Sequence, residues 1–365
     1  MFGKKPTRET ECMKILLLCW RDTDHPQGGG SERYLEHVGA YLAARGHSVT
    51  YFSARAKGMP AHSTKKGVKH IRHGGKMTVY IAGLLHTATH HYDAVVDTQN
   101  GIPFFARLTH PRSTVLLTHH CHREQWPVAG PLLGRLGWFL ESRVAPRVYR
   151  GAPYVTVSEP SKSELLRLGV RGIEIIRNGA PAVPAVSNNH SDRLVTLSRL
   201  VPHKRIEHVL DYLAARPDAR LDVIGSGWWD ANLRAYAREL GVESQVIFHG
   251  QVSEARKNEL LSRAGIHVLP SVKEGWGLAV IEAALHSVPT VGYRTSGGLT
   301  DSVRHGRTGV LVDDKAHLFS ALDELRTNQE KREELGRNAR EFASQFSWEA
   351  TGEAWEALLQ RITTD

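Results

Sequence analysis

Cysteine is scarce in this chain: Cys12, Cys19 and Cys121 are odd in number and lack C-x-x-C spacing, so a disulfide-stapled scaffold is excluded. Long apolar runs are missing too. The longest near the start, Ile15 to Trp20, falls far short of the roughly 18 to 20 residues that span a bilayer, and no small-residue cleavage site follows it. These absences predict a reduced, cytoplasmic chain that is not an integral membrane protein. Acidic residues are absent from His37 to Tyr92, a stretch that carries Arg45, Arg55, Lys57, Lys65, Lys66, Lys69, Arg72 and Lys76. Residues 1–180 hold 25 basic against 13 acidic side chains, and residues 181–365 hold 22 against 25. The basic half therefore calls for an anionic neighbour, if it is not simply a solvated face. Nucleic acid is disfavoured, because aromatics for base stacking are few in the stretch and no RNP, zinc-finger or helix-turn-helix signature occurs.

The 365 residues, 41% of them hydrophobic, are enough for two domains with real cores. Met13 to Trp20 reads as a buried parallel strand, followed by a glycine loop and a helix over Ser31 to Arg45, where Tyr34, Leu35, Val38, Tyr41 and Leu42 recur at spacings of three and four. Gly46 stops that helix before a strand at Ser48 to Phe52, and Ala94 to Asp97, Ser113 to Leu117 and Tyr154 to Val157 continue the pattern. A Pro-, Ala- and Asn-rich linker is expected from Ala180 to His190. Strands restart at Arg193 to Leu197, Arg220 to Ile224, Val246 to His249, Ile266 to Leu269, Thr290 to Gly292 and Val310 to Val312. The expectation is an α/β protein of two Rossmann-like, doubly wound parallel-sheet domains, residues 1–180 and 181–345. A terminal helix over 346–365, after the break at Phe346-Ser347-Trp348, should pack back on the first domain.

Three motifs carry chemistry. Gly28-Gly29-Gly30-Ser31-Glu32 lies between the first strand and first helix, where glycines allow close approach and a helix start offers N–H groups to an anion; Gly29 and Gly30 either contact a phosphate or acceptor or make a tight turn. The spacing is not the G-x-G-x-x-G dinucleotide fingerprint, which disfavours a nicotinamide oxidoreductase. Ser198 to Arg205 follows the first strand of the second half, and its Arg199 and Lys204 are either a diphosphate clamp or solvated loop charges. Pro270 to Ala283 presents Glu274 on a loop, Gly275 and Gly277 at a helix start, and Glu282 on the helix. Carboxylates there suit a hydroxyl-rich ligand such as ribose or a hexose, against the bland reading of a paired helix residue and a helix-start charge.

Taken in order, the chain resembles the GT-B-fold retaining glycosyltransferases of family 4. The pieces are Gly28 to Gly30, Thr118-His119-His120, Val157-Ser158-Glu159, Asn178-Gly179, the Arg199 and Lys204 loop, Glu274 to Glu282, Val288-Pro289-Thr290-Val291 and Ser296-Gly297-Gly298-Leu299. Ala180-Pro181 and Leu299-Thr300-Asp301 depart from that pattern. The resemblance implies that Arg199 and Lys204 bind the donor diphosphate, Glu282 the ribose, and Glu274 with the amides of Gly275, Trp276, Gly277 and Leu278 the transferred sugar. It places His120 at that sugar, with His119 as the substitute. It also implies no metal and no cofactor, although His119, His120 and His122 form a cluster that invites the thought of one. The implied activity is transfer of a hexose (glucose, N-acetylglucosamine or mannose) from a UDP- or GDP-sugar to a glycan, lipid-linked or small-molecule acceptor, in cell-envelope glycan or glycolipid synthesis. The alternative is a sugar-nucleotide-binding module without transfer. Glycoside hydrolase and phosphorylase readings are disfavoured, the first because its two carboxylates must flank the scissile bond. On this reading the basic half docks on an anionic inner-membrane surface, or else serves a phosphorylated acceptor.

Overall fold

A computed structural model describes residues 12–181, 183 and 191–364. Contacts divide the chain into two compact units: 1–117 with 147–153 and 352–365, and 118–146 with 154–351. The expected linker falls largely at 182 and 184–190, outside the described residues.

In the first unit the strands are β1 (Lys14–Leu18), β2 (Ser48–Ser53), β3 (His62–Lys65), β4 (Val68–Arg72), β5 (Ala94–Thr98) and β6 (Thr114–Leu117), arranged β3-β4-β2-β1-β5-β6. All neighbours are parallel except β3 and β4, a hairpin turned by Lys66-Gly67 that the sequence reading did not resolve. Every residue of β5 is buried, as are the last four of β1, because helices cover both faces; hence their continuous apolar spelling. Leu16, Leu18, Phe52, Val95 and Phe104 meet in the core. Trp355, on the terminal helix Trp348–Thr364, donates its indole N–H to the Tyr34 hydroxyl at 2.6 Å, and Glu356 pairs with Arg45 at 3.3 Å.

Acidic residues outside the basic stretch neutralise part of it. Lys65 reaches Asp24 and Glu36 at 3.0 and 3.1 Å, and buried Arg72 bridges Asp22 and Asp24. Arg55, Lys57, Lys66, Lys69 and Lys76 stay exposed, so the demand for an external anion is smaller than composition suggested.

The second unit contains the parallel pair β7 (Tyr154–Thr156) and β8 (Ile173–Ile175) and a six-stranded parallel sheet. The sheet strands are β9 (Leu194–Leu197), β10 (Leu221–Ile224), β11 (Val246–Gly250), β12 (Ile266–Leu269), β13 (Thr290–Tyr293) and β14 (Gly309–Val312), in the order β11-β10-β9-β12-β13-β14. The chain winds one way from β9 to β11 and the other way from β12 to β14. That reversal leaves a crevice at the carboxyl ends of β9 and β12, the place where such sheets receive ligands. The sequence drew its boundary at 180; grouping by contacts places 118–146 and 154–180 with the later strands, and one polar link joins those two segments while two tie them to the later strands. Ser161 donates to the His119 carbonyl at 2.8 Å, Lys273 pairs with Glu164, and Arg177 reaches Asp301 at 3.1 Å.

Candidate active site

The site is built from three segments of the second unit. After β9 the chain runs through a short turn at Pro202–Lys204, and Arg205 turns left-handed at φ 49°. This loop packs so tightly on the one after β10 that a β-carbon on Gly225 would lie 1.9 Å from the Ser198 carbonyl and one on Gly227 2.1 Å from that of Leu200. Glycine is therefore required twice to bring the loops together. Val272 N–H donates to the His203 carbonyl at 2.8 Å, joining the loop after β9 to the loop after β12.

That junction brings Lys204 and Glu274 together. The ammonium lies 2.5 Å from Glu274 Oε1, with each side chain about 12% exposed. Burial pushes the Glu274 carboxyl up, but the Lys204 ammonium pulls harder, and its pKa ends below the ordinary glutamate value. Glu274 is a carboxylate at neutral pH, held by its backbone as well: its N–H donates to Ser296 O at 2.8 Å and its carbonyl accepts from Gly298 N–H at 2.9 Å. Arg199 stands half-buried on the same loop as Lys204, and its charge contributes to depressing the His203 imidazole to about 4, after burial and Lys204.

Behind Glu274 the helix Leu278–Leu285 begins at Gly277, whose φ of 87° a side chain would strain. A β-carbon on Gly298 would meet the Gly275 carbonyl at 2.1 Å, so that backbone crossing also demands glycine. Leu278 is half-buried at the helix start. Trp276 is 2% exposed, with the Arg177 guanidinium 5.5 Å over its ring and Phe346 edge-on at 5.2 Å, and its indole N–H is buried without a partner among the described residues. Glu282 lies deeper, 7% exposed, and pairs with Lys257 at 2.5 Å.

The third segment holds the imidazoles. Glu141, 1% exposed, accepts from His122 N–H at 2.9 Å and from the Trp126 indole at 2.6 Å, folding residues 122–126 back on the helix Pro131–Phe139. Gln125 meets His120 Nε2 at 3.0 Å, and the His120 and His122 rings lie 4.5 Å apart. His120 Nδ1 is buried without a partner, beside Gly275, where a β-carbon would come within 3.3 Å of it. Burial first, then the charges of His122, His119, Lys273 and His203, hold its pKa well below the ordinary histidine value. It is thus a neutral imidazole with one ring nitrogen to offer. His119 is 6% exposed and tied by its carbonyl to Ser161. Among the described residues no three metal-ligating side chains gather in one place.

His120, Gly275, Glu274 and Lys204 thus converge, with Arg199 on the same loop and Glu282 one helix deeper. Gly29 and Gly30 belong to the first unit. There Glu32 fills the helix start itself, accepting from Gly29 N–H at 2.8 Å and from Arg21 at 2.9 Å, while a β-carbon on Gly30 would meet open space. Three site-associated residues escaped the sequence reading: His203, Glu141 and Lys257. Lys257 had a legible signal, because it shares a helix face with buried Leu260 and Leu261, where an apolar residue is expected.

Two family models together match most of the chain: "Glycosyl transferase 4-like domain" over residues 29–179 and "Glycosyl transferases group 1" over 184–342. The chain is 27% identical over 376 aligned positions to the GDP-mannose-dependent alpha-(1-6)-phosphatidylinositol monomannoside mannosyltransferase of Mycobacterium tuberculosis, covering 92% of this chain and 96% of that one. Its fold matches sucrose-phosphate synthase from Thermosynechococcus elongatus with a TM-score of 0.80 at 20% identity, covering 96% and 99% of the two chains. It also matches Anabaena HepE in complex with UDP and glucose, with a TM-score of 0.74 at 20% identity and coverage of 95% and 99%. The chain belongs to the GT-B-fold glycosyltransferases of family 4.

Proposed function

We propose that the chain is a retaining hexosyltransferase that moves a hexose from a UDP- or GDP-sugar to a hydroxyl of a glycan, lipid-linked or small-molecule acceptor, without a metal. The observation that carries this reading is the Lys204–Glu274 pair, with Arg199 on the same loop as Lys204, at the crevice of β9 and β12. When the bond between the anomeric carbon and the phosphate oxygen breaks, its electron pair goes to the departing diphosphate. Fixed cations stabilise that charge without reorganising; Lys204 and Arg199 are suited to the task. The acceptor oxygen then bonds to the anomeric carbon on the same face, and its proton passes to a diphosphate oxygen. Glu274, already engaged by Lys204, orients sugar hydroxyls and is no covalent nucleophile. Neutral His120 exchanges a hydrogen bond with the sugar, and Glu282 accepts from the ribose hydroxyls.

The acceptor we infer is lipid-linked, at an anionic membrane surface. The mycobacterial relative is named for a phosphatidylinositol monomannoside acceptor. In this chain the helix Pro131–Phe139 exposes Leu132, Leu133, Leu136 and Phe139 by 81, 60, 53 and 54%. They fall on one helix face, while Gly134 and Gly137 press the other onto Trp126. Arg135 and Arg143 are exposed alongside, and the segment's acid, Glu141, is buried. Apolar residues flanked by arginines suit the headgroup boundary of an anionic bilayer. The helix Thr78–Thr89 of the first unit likewise exposes Ile81 and Leu85, and exposed Lys76 precedes it by two residues in the chain.

The test is nucleoside-diphosphate release from a panel of UDP- and GDP-sugars, GDP-mannose included, with and without a membrane-lipid extract. A divalent chelator is present in one arm, and vesicle sedimentation runs in parallel. We expect release from one donor, dependent on the extract and indifferent to the chelator, with retention of the anomer in the product. Vesicles of phosphatidylcholine with phosphatidylglycerol should carry the protein down, and Leu132→Ser with Leu136→Ser should abolish this. Tight donor binding with no release against any acceptor would point instead to a binding module without transfer.

A further inference from the structure

We propose that Lys257 is a positioning residue for donor recognition, fixing the Glu282 carboxylate so that it selects a ribose over a deoxyribose. The inference rests on the reading that Glu282 meets the donor ribose. Lys257 lies on the helix Glu254–Arg263 with only 6% of its side chain exposed, an uncommon place for an ammonium. The ammonium reaches Glu282 Oε1 at 2.5 Å and Glu254 Oε2 at 2.7 Å. The two carboxylates differ: that of Glu254 is 66% exposed, whereas that of Glu282 is 8% exposed. Water can satisfy Glu254, so the buried partner is the one that needs the ammonium.

The two ends of the pair come from different elements. Glu282 sits on the helix Leu278–Leu285, and Lys257 on the helix after β11. A glutamate side chain has three rotatable bonds, and a hydroxyl-binding carboxylate must keep its oxygens in a fixed plane to discriminate one sugar oxygen. The ammonium on Oε1 supplies that constraint from outside the helix, as outer partners orient ligating carboxylates at metal sites. Loss of the ammonium would remove the constraint on Oε1 and weaken the acceptor offered to the sugar hydroxyl, while phosphate and base contacts stayed.

Calorimetric titration of UDP, GDP and their 2′-deoxy and 3′-deoxy counterparts tests this on the full chain. Wild type should prefer the ribonucleotide of its cognate base over at least one deoxy form. Lys257→Met should cut that preference about tenfold, the size of one hydrogen bond to a charged group. Lys257→Arg should restore most of it. A merely structural lysine would instead lower affinity for ribo and deoxy forms alike, with the preference intact, and this overturns the proposal. Glu282→Gln separates the two levels. If it abolishes the preference while Lys257→Met does not, Lys257 is no positioning residue; if it leaves the preference intact, Glu282 is not at the ribose and both readings fall. Thermal melts of each variant identify any that fails to fold, and Lys257→Gln, with a shorter polar side chain, then takes the place of Lys257→Met.

Discussion

Replacing Lys204 by methionine should do more damage to the folded protein than its partly exposed position suggests, and the damage should depend on pH. Methionine keeps the apolar stem but removes the ammonium that lies 2.5 Å from Glu274 Oε1. With only about 12% of the Glu274 side chain exposed, water cannot replace the lost partner. Breaking a buried pair on one side costs about 3 kcal/mol, the lower end of what such deletions give, because some exposure remains. Lys204→Met with Glu274→Gln removes the charge as well as its partner, and should recover about 2 kcal/mol of that loss. In the wild type the Glu274 pKa is lowered, so its contribution is present above the ordinary value of 4.5 and is lost as pH falls through the depressed folded value. In Lys204→Met the dominant remaining influence is burial, which raises the pKa. The penalty should then be largest at pH 7.5 and shrink as pH falls toward 5, where the unpaired carboxyl takes up a proton. Urea unfolding of wild type, both single variants and the double variant at pH 7.5, 6 and 5 gives the full cycle. A destabilisation that is independent of pH, or one that Glu274→Gln fails to relieve, would refute the claim that an unpaired buried carboxylate is the cause.

Glu141→Ala should cost about 3 kcal/mol, because it strands the His122 N–H and the Trp126 indole, and should also slow donor turnover by releasing the segment that carries His120; unchanged melting and turnover would show that Glu141 anchors nothing. Gly336→Ala tests packing against propensity. Alanine favours a helix interior by about 1 kcal/mol, yet a β-carbon here would stand 2.0 Å from the Ser287 carbonyl, so we expect a net loss of about 2 kcal/mol in thermal unfolding. A rise in melting temperature would refute the close approach.

Much of the fold was legible because buried parallel strands spell themselves as short apolar runs: Ile266 to Leu269 is read identically in sequence and structure, and β9, β10 and β13 differ by a residue at one end. The hairpin of β3 and β4 was not, since His62–Lys65 alternates exposed and half-buried positions and carries no apolar signal. The motif residues Arg199, Lys204, Glu274 and Glu282 could be named from their places after strands. The meeting of Lys204 with Glu274 could not, because it depends on Gly225, Gly227 and Gly298 permitting backbone approaches that no spacing encodes.

The sequence by itself determined most of the buried parallel strands, the alternation of β and α, and the identity of the charged groups near the crevice, because period and strand-end position are local properties. Tertiary structure alone decided the partners: that Glu274 is held by Lys204 and Glu282 by Lys257, that Trp276 and His120 each keep a buried ring nitrogen without a partner, and that Asp22, Asp24 and Glu36 neutralise part of the basic stretch. Ion pairing and burial are set by distances between residues far apart in the chain, and those distances exist only after the sheets have closed.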